Sequence, residues 1–370
     1  MTALPDETVL AIAGRDGDGI NVEIAEIYHP ATPGVPDSWV DMPQTADKNL
    51  PVYPFMFVLP YGSNVFYAGA HGGALPNGNT YILDLEEEMA PWSEPIESIR
   101  TASGSAVMYE PGKVLKCGGD DLDLNVLTPV TQMIDLSDPA SPLPDSWDTD
   151  PLSWDMTTAR RKHNLVLLAD GTILAVGGET FVHGAESGVW LPVYEAELFD
   201  PNGLDPQWQR MALMQKKRLH HSTALLLPDA TVLAAGLPDF LGPTAEIYSP
   251  KYLFEAGGGL APRPVIGYAP TDVPYGTSFS VILSGASEVP VEEIAKVTFL
   301  RLGSTTHGFD MDQRYLSLAV QLDASQENAL IVEAPADANL APPGYYMLFL
   351  ISDDGVPSIA KYIRLYDPSP

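Results

Sequence analysis

Leu167-Leu168-Ala169-Asp170-Gly171-Thr172-Ile173-Leu174-Ala175-Val176-Gly177-Gly178 is the stretch that decides the fold. A short apolar run, a polar turn, a second apolar run rich in β-formers and a closing pair of glycines read as a β-hairpin. The same order recurs along the chain, with the second run ending in small residues and one glycine or two. Its other copies are Leu4-Pro5-Asp6-Glu7-Thr8-Val9-Leu10-Ala11-Ile12-Ala13-Gly14, Val58-Leu59-Pro60-Tyr61-Gly62-Ser63-Asn64-Val65-Phe66-Tyr67-Ala68-Gly69, Met108-Tyr109-Glu110-Pro111-Gly112-Lys113-Val114-Leu115-Lys116-Cys117-Gly118-Gly119 and Leu226-Leu227-Pro228-Asp229-Ala230-Thr231-Val232-Leu233-Ala234-Ala235-Gly236.

Each copy closes on a third strand. These are Ala25-Glu26-Ile27-Tyr28, Thr80-Tyr81-Ile82-Leu83-Asp84, Gln132-Met133-Ile134-Asp135, Ala196-Glu197-Leu198-Phe199-Asp200 and Ala245-Glu246-Ile247-Tyr248. Trp39, Trp92, Trp147 and Trp208 follow four of them, where a blade-closing aromatic belongs. A period of about 50–60 residues is that of kelch-type propeller blades. The fold expected is therefore all-β: a kelch-type β-propeller of about five blades over residues 1–258. Met1 falls inside the first hairpin, so the first blade is expected to be clipped, its preceding strand absent. Whether such a set closes a ring that hides its strand edges is left open.

Past Ala261-Pro262-Arg263-Pro264 the pattern changes to alternating strands, Ser278–Leu283, Lys296–Leu300, Leu316–Val320 and Tyr345–Leu350. Residues 262–370 thus read as a small immunoglobulin-like sandwich.

Composition limits the function classes. The net charge is −30, which repels nucleic acid and anionic membrane surfaces. With 31 glycines and 35 prolines the chain is rich in turns rather than helices. No apolar run reaches the length of a membrane span. One cysteine, Cys117, rules out an internal disulfide. The first residues lack the basic start and apolar core of a signal peptide.

The chemistry concentrates at Arg218-Leu219-His220-His221-Ser222, just before the last hairpin. Adjacent side chains on a strand point to opposite faces, so two neighbouring imidazoles meet one metal only where the backbone bends. Imidazole suits copper, zinc, iron and nickel, and the pair needs a third ligand from elsewhere.

Four stretches carry a family resemblance. They are Arg218–Ser222 with Leu225–Asp229; Ala245-Glu246-Ile247-Tyr248-Ser249-Pro250-Lys251-Tyr252-Leu253; Gly303-Ser304-Thr305-Thr306-His307 with Asp312-Gln313-Arg314; and Pro343–Phe349 with Gly355–Ser358. In these the chain resembles the C-terminal part of galactose oxidase and glyoxal oxidase, the copper-radical oxidases. The resemblance implies a propeller followed by an immunoglobulin-like early-set domain, secretion or a cell-surface location, and a copper ion on the propeller axis. It implies metal ligands at His221 and His307, the latter on a hairpin reaching from the C-terminal domain.

Two departures follow from the same comparison. His220 stands at the family's axial tyrosine, where an imidazole can serve as the catalytic base near neutral pH. The radical tyrosine and its cysteine partner map upstream of Met1, and Cys117 lies in a different blade. The copper site is then vestigial or incomplete for a reaction that oxidises a primary alcohol or aldehyde and releases hydrogen peroxide. The rival reading is a non-catalytic propeller that binds carbohydrate or protein at the cell surface.

Other residues carry structural expectations. His29, His71 and His183 read as solvated loop residues, and His163 as a structural histidine in the matching place one blade before His221. Asp120, Asp121 and Asp123 form an acidic loop that is either a cation site or a solvated turn. Arg314 reads as half of a structural ion pair, and Tyr345 and Tyr346 as sandwich core and edge.

Overall fold

The computed structural model describes residues 1–150, 154–182, 188–236 and 244–368. Five antiparallel meanders come first. Their strands are Thr2–Ala3, Val9–Ala11, Glu26–His29 and Ser38–Asp41; Pro54–Val58, Asn64–Ala70 and Tyr81–Asp84; Ser105–Glu110, Lys113–Cys117, Thr131–Asp135 and Asp148–Thr149; Asn164–Leu167, Ile173–Val176, Glu195–Phe199 and Gln209–Leu213; and Thr223–Leu226, Val232–Ala235 and Ala245–Tyr248. Each of the five sequence copies is the hairpin of one such blade.

Local chemistry explains the hairpins. Asp6, Asp170 and Asp229 each accept hydrogen bonds from the backbone N–H and the hydroxyl of the threonine two residues on. This folds an Asx-type turn. The residue between them is left-handed, with φ of 68° at Glu7, 95° at Gly171 and 64° at Ala230.

The third-strand signature has an equally concrete role. In the fourth blade Glu197 pairs with the buried guanidinium of Arg160 and accepts from the Thr157 and Thr158 amides. In the fifth, Glu246 pairs with Arg218 at 3.1 Å and accepts from the Gln215 and Lys216 amides. Each arginine also donates to the carbonyl of the glycine that ends the second strand, Gly177 or Gly236. One acidic side chain so ties the third strand to the chain entering the inner strand of the same blade.

Tryptophans stitch blades together. Trp147 Nε1 donates to Thr80 Oγ1 and Trp208 Nε1 to Thr131 Oγ1, both at 3.0 Å, each reaching back to the previous blade. Trp39 does not close a blade: it is 51% exposed and packs at a tilt against Tyr28. The first blade is clipped as expected, though its preceding strand is shortened rather than absent. Its innermost strand is short but present, with Thr2 opposite Leu10 and Ala3 opposite Val9. The turn at Asp6 brings these two residues back along the second strand.

Leu10, Leu50, Phe66, Leu115, Leu174 and Phe199 are sealed between blades. Each contributes roughly 1.5–3 kcal/mol of burial.

The rest of the chain is a sandwich. One sheet runs in the order Ile266–Tyr268, Ser278–Leu283, Ala329–Glu333, Val320–Leu322, and the other Asp272–Pro274, Lys361–Tyr366, Gly344–Ser352, Ile294–Arg301, Tyr315–Leu318. Val281, Phe299, Tyr346, Leu348 and Ile363 fill the space between them. Tyr346 is fully buried, its hydroxyl donating to the Pro342 carbonyl, whereas Tyr345 is exposed.

The sandwich grips the blades by their hairpin turns. Thr298 Oγ1 donates to the Ala169 carbonyl, Tyr315 and Lys296 to that of Asp170, and Arg263 to that of Asp229. Arg314 is buried and makes no carboxylate pair. It donates to the Val58 carbonyl of the second blade and lies against Met108 Sδ of the third. The expected ion pair is thus replaced by a backbone contact, and the nearby Asp312 faces Arg301 instead, at 4.0 Å.

No helix among the described residues is long and apolar enough to cross a membrane.

Candidate metal centre

The site is assembled where blades begin. Aligned on their inner strands, Tyr53, Ser103, Lys162 and His221 hold equivalent positions. All four are left-handed, with φ of 58°, 60°, 57° and 67°. None is glycine, so each carries a backbone cost of about 1–2 kcal/mol that the surrounding blades must offset. Backbone hydrogen bonds link these starts from blade to blade: His71 N–H to Tyr53 O, Ser103 N–H to His71 O and Lys162 N–H to Ser103 O.

The left-handed turn at His221 is the bend that two adjacent histidines need. It brings the His220 and His221 rings to 3.9 Å, at 61° to each other. The third imidazole comes from the sandwich. Thr305–Thr306 and Phe309–Asp310 form a two-stranded hairpin with His307 and Gly308 at its tip.

Several contacts seat this hairpin. Phe309 packs against Phe55 and Phe57, Ser105 Oγ donates to the Gly308 carbonyl, and Asp310 accepts from the Ser304 and Asp312 amides. Burial raises the Asp310 carboxyl to about 6. Gly308 has φ of 75°, and a Cβ there would meet the His163 carbonyl at 2.6 Å, so only glycine lets the tip in.

His307 lies 4.7 Å from the His221 ring and 5.6 Å from that of His220. One nitrogen from each of the three rings lies within 4.8 Å of the others, the only such metal-competent group of His, Cys, Asp and Glu among the described residues. Thr306 Oγ1 and His307 Nδ1 are hydrogen-bonded at 2.8 Å, which leaves Nε2 to the cluster. Tyr53 stacks on His307 at 3.6 Å and 15°, fixing the ring from the other side. Burial lowers the pKa of both His220 and His307, and the neighbouring imidazoles add to the shift. Neutral rings with free nitrogens are the state a metal requires, and an all-imidazole set fits copper(II) among other ions.

A fourth histidine was missed by the sequence reading. His71 is not solvated but 5% exposed, stacked on His220 at 5.4 Å and edge-on to His307 at 5.7 Å. Burial first, then the charges of His220 and His307, pull its pKa down to about 4. Its flanking residues, Gly69-Ala70-His71-Gly72-Gly73, sit where the third and fourth copies carry a bare glycine pair, and that intrusion was the available signal.

The remaining expectations sort out as follows. His163 does not align with His221; it matches Ser222, while Lys162 matches His221. It is fully buried, with Nε2 3.5 Å from Cys117 Sγ, and burial lowers its pKa to about 3. Cys117 is itself buried there, its thiol pushed up by desolvation. Asp120 is held by Arg161 at 3.1 Å, Asp123 by Arg100 at 3.2 Å, and Asp121 accepts from the amides of Asp123 and Leu124. The acidic loop is therefore spent on the protein's own cations and amides. His29 is exposed, and His183 lies outside the described residues.

Beside the cluster opens a cavity of about 900 Å³, lined by Tyr53 and Thr306 on one side and by Val9, Ala11, Tyr28 and Trp39 on the other.

Comparison with known proteins agrees with this architecture. The family described as galactose oxidase-like, early set domain, matches residues 263–365. A galactose oxidase of Gibberella zeae is 28% identical over 98% of this chain, which covers 53% of that protein. An aldehyde oxidase of Vitis pseudoreticulata is also 28% identical over 98% of the chain, covering 70% of its length. The chain thus spans about half to two thirds of the curated relatives it matches. A fungal alcohol oxidase solved in complex with copper superposes with a TM-score of 0.75 and 24% identity, over 98% of this chain and 74% of the other.

Proposed function

The chain is a relative of the galactose oxidase and glyoxal oxidase group, and from that premise we propose that it holds copper at His220, His221 and His307. The convergence of these three imidazoles from the fifth blade and the sandwich hairpin carries the reading. Bound copper would supply an electron acceptor and a Lewis acid. The chain's residues would do the rest.

His221 and His307 would act as ligands. His220 would occupy the position of a phenolate as the third ligand, and only when released from the metal would its free nitrogen take the proton of a bound primary alcohol or aldehyde hydrate. The cavity beside Tyr53 offers apolar and aromatic contacts for the part of such a substrate that does not react. An all-imidazole set lacks the phenolate oxygens that favour the oxidised metal, so the site is proposed to bind copper firmly and to oxidise slowly or not at all.

Copper titration by calorimetry tests the first half. One equivalent bound by the chain, lost in His221→Ala, supports it; no binding sinks it. Peroxide release on galactose, glyoxal and simple alcohols tests the second half, and rapid turnover by this chain would overturn the vestigial reading. Glycan binding that survives His221→Ala, with no copper bound, would favour the binding-module alternative.

A further inference from the structure

We propose that His71 supplies a fourth imidazole nitrogen to the same metal centre. The inference rests on the copper reading above and extends it to a residue of the second blade. Three observations carry it. First, His71 lies 5.4 Å from the His220 ring and 5.7 Å from the His307 ring, while those two are 5.6 Å apart. By ring position it borders two of the three rings, although its nitrogens lie outside the 4.8 Å group that those three form.

Second, its ring is 95% buried and its Nδ1 has no hydrogen-bond partner. An imidazole walled in without a partner costs stability, and a phenylalanine of similar volume would avoid that cost. Orphaned polar atoms of this kind mark absent waters or ions.

Third, the residue is fixed in place without help from the cluster. Its N–H donates to the Tyr53 carbonyl and its carbonyl accepts from the Ser103 amide, so the second and third blades hold it rigidly. The site would then draw on three separate pieces of chain: the second blade, the fifth blade and the sandwich hairpin.

The test uses the full chain loaded with copper(II) alone. Electron paramagnetic resonance should report four coupled nitrogens in the parent and three in His71→Phe, with a 10–100-fold loss of copper affinity by calorimetry. Far-ultraviolet circular dichroism checks that the variant is folded. If it is not, His71→Asn replaces it, with the same loss of one nitrogen expected. A folded variant that keeps the parent's nitrogen count and affinity overturns the proposal. A parent chain that binds no copper overturns the site reading itself, and His71 with it.

Discussion

The fourth and fifth blades are built to one plan and differ where it matters. Both tie their third-strand glutamate to an arginine and to two amides, and both turn on an Asp-x-Thr hairpin. In the fourth, Arg160 and Glu197 are both fully buried; in the fifth, Glu246 is 22% exposed. At the strand start the fourth blade carries Arg161 and Lys162, spent on Asp120 and Glu179. The fifth carries His220 and His221, which face each other and the sandwich hairpin. The repeat sets the scaffold, and the two residues before each inner strand are free to become either a salt-bridge clamp or a metal site.

The largest effect should come from breaking the buried pair. Glu197→Gln leaves Arg160 charged and unpaired in the core, at about 3–5 kcal/mol. Glu246→Gln, at the partly exposed counterpart, should cost about half as much. Urea denaturation of the two variants measures the difference, and equal losses would show that burial does not distinguish the blades.

Next is the exchange of strand-start chemistry. His221→Lys copies the fourth blade, whose Lys162 already tolerates the same left-handed backbone. Copper affinity should fall at least a hundredfold, about 3 kcal/mol, with little change in melting.

The histidine that belongs to the fourth blade gives a pH test. His163 titrates at about 3 when folded and near 6.5 when unfolded. The unfolded chain therefore binds more protons between those values. The stability this group contributes is present above pH 6.5 and is lost progressively as pH falls towards 3. About 2 kcal/mol should go between pH 6.5 and 5. His163→Phe should melt with a correspondingly weaker acid dependence over that range.

A smaller test lies in the turns. Ala230 occupies the left-handed turn position in the fifth blade, but a Cβ on Gly171 would meet the Tyr315 ring at 2.8 Å. Gly171→Ala should cost about 1–3 kcal/mol by thermal melting, and no loss would mean that the sandwich yields at that turn.

Most of the scaffold was legible in the sequence because hairpin chemistry is local. Asp-x-Thr turns, glutamate-bearing third strands and tryptophans four to five dozen residues apart are written in short words. The tryptophan pattern misled at Trp39, which lies half exposed against Tyr28 and lines the cavity instead.

The site was legible in part. His220, His221 and His307 stood in motifs, and the structure brings all three together. His71 did not, because burial is a property of the assembled ring and a glycine-flanked histidine looks solvated on its own. The register of His163 was off by one for a similar reason. The left-handed residue that aligns the strand starts is Tyr, Ser, Lys or His, and no shared side chain announces it.

The hairpin at Thr305–Asp310 has a further consequence. It hangs from the sandwich, yet it is wedged by Phe309 between Phe55 and Phe57 and presents His307 to the fifth blade. Any ion shared across that gap would act as a rivet between the two modules. Prising them apart would have to eject the ion, so its spectrum would serve as a gauge of docking.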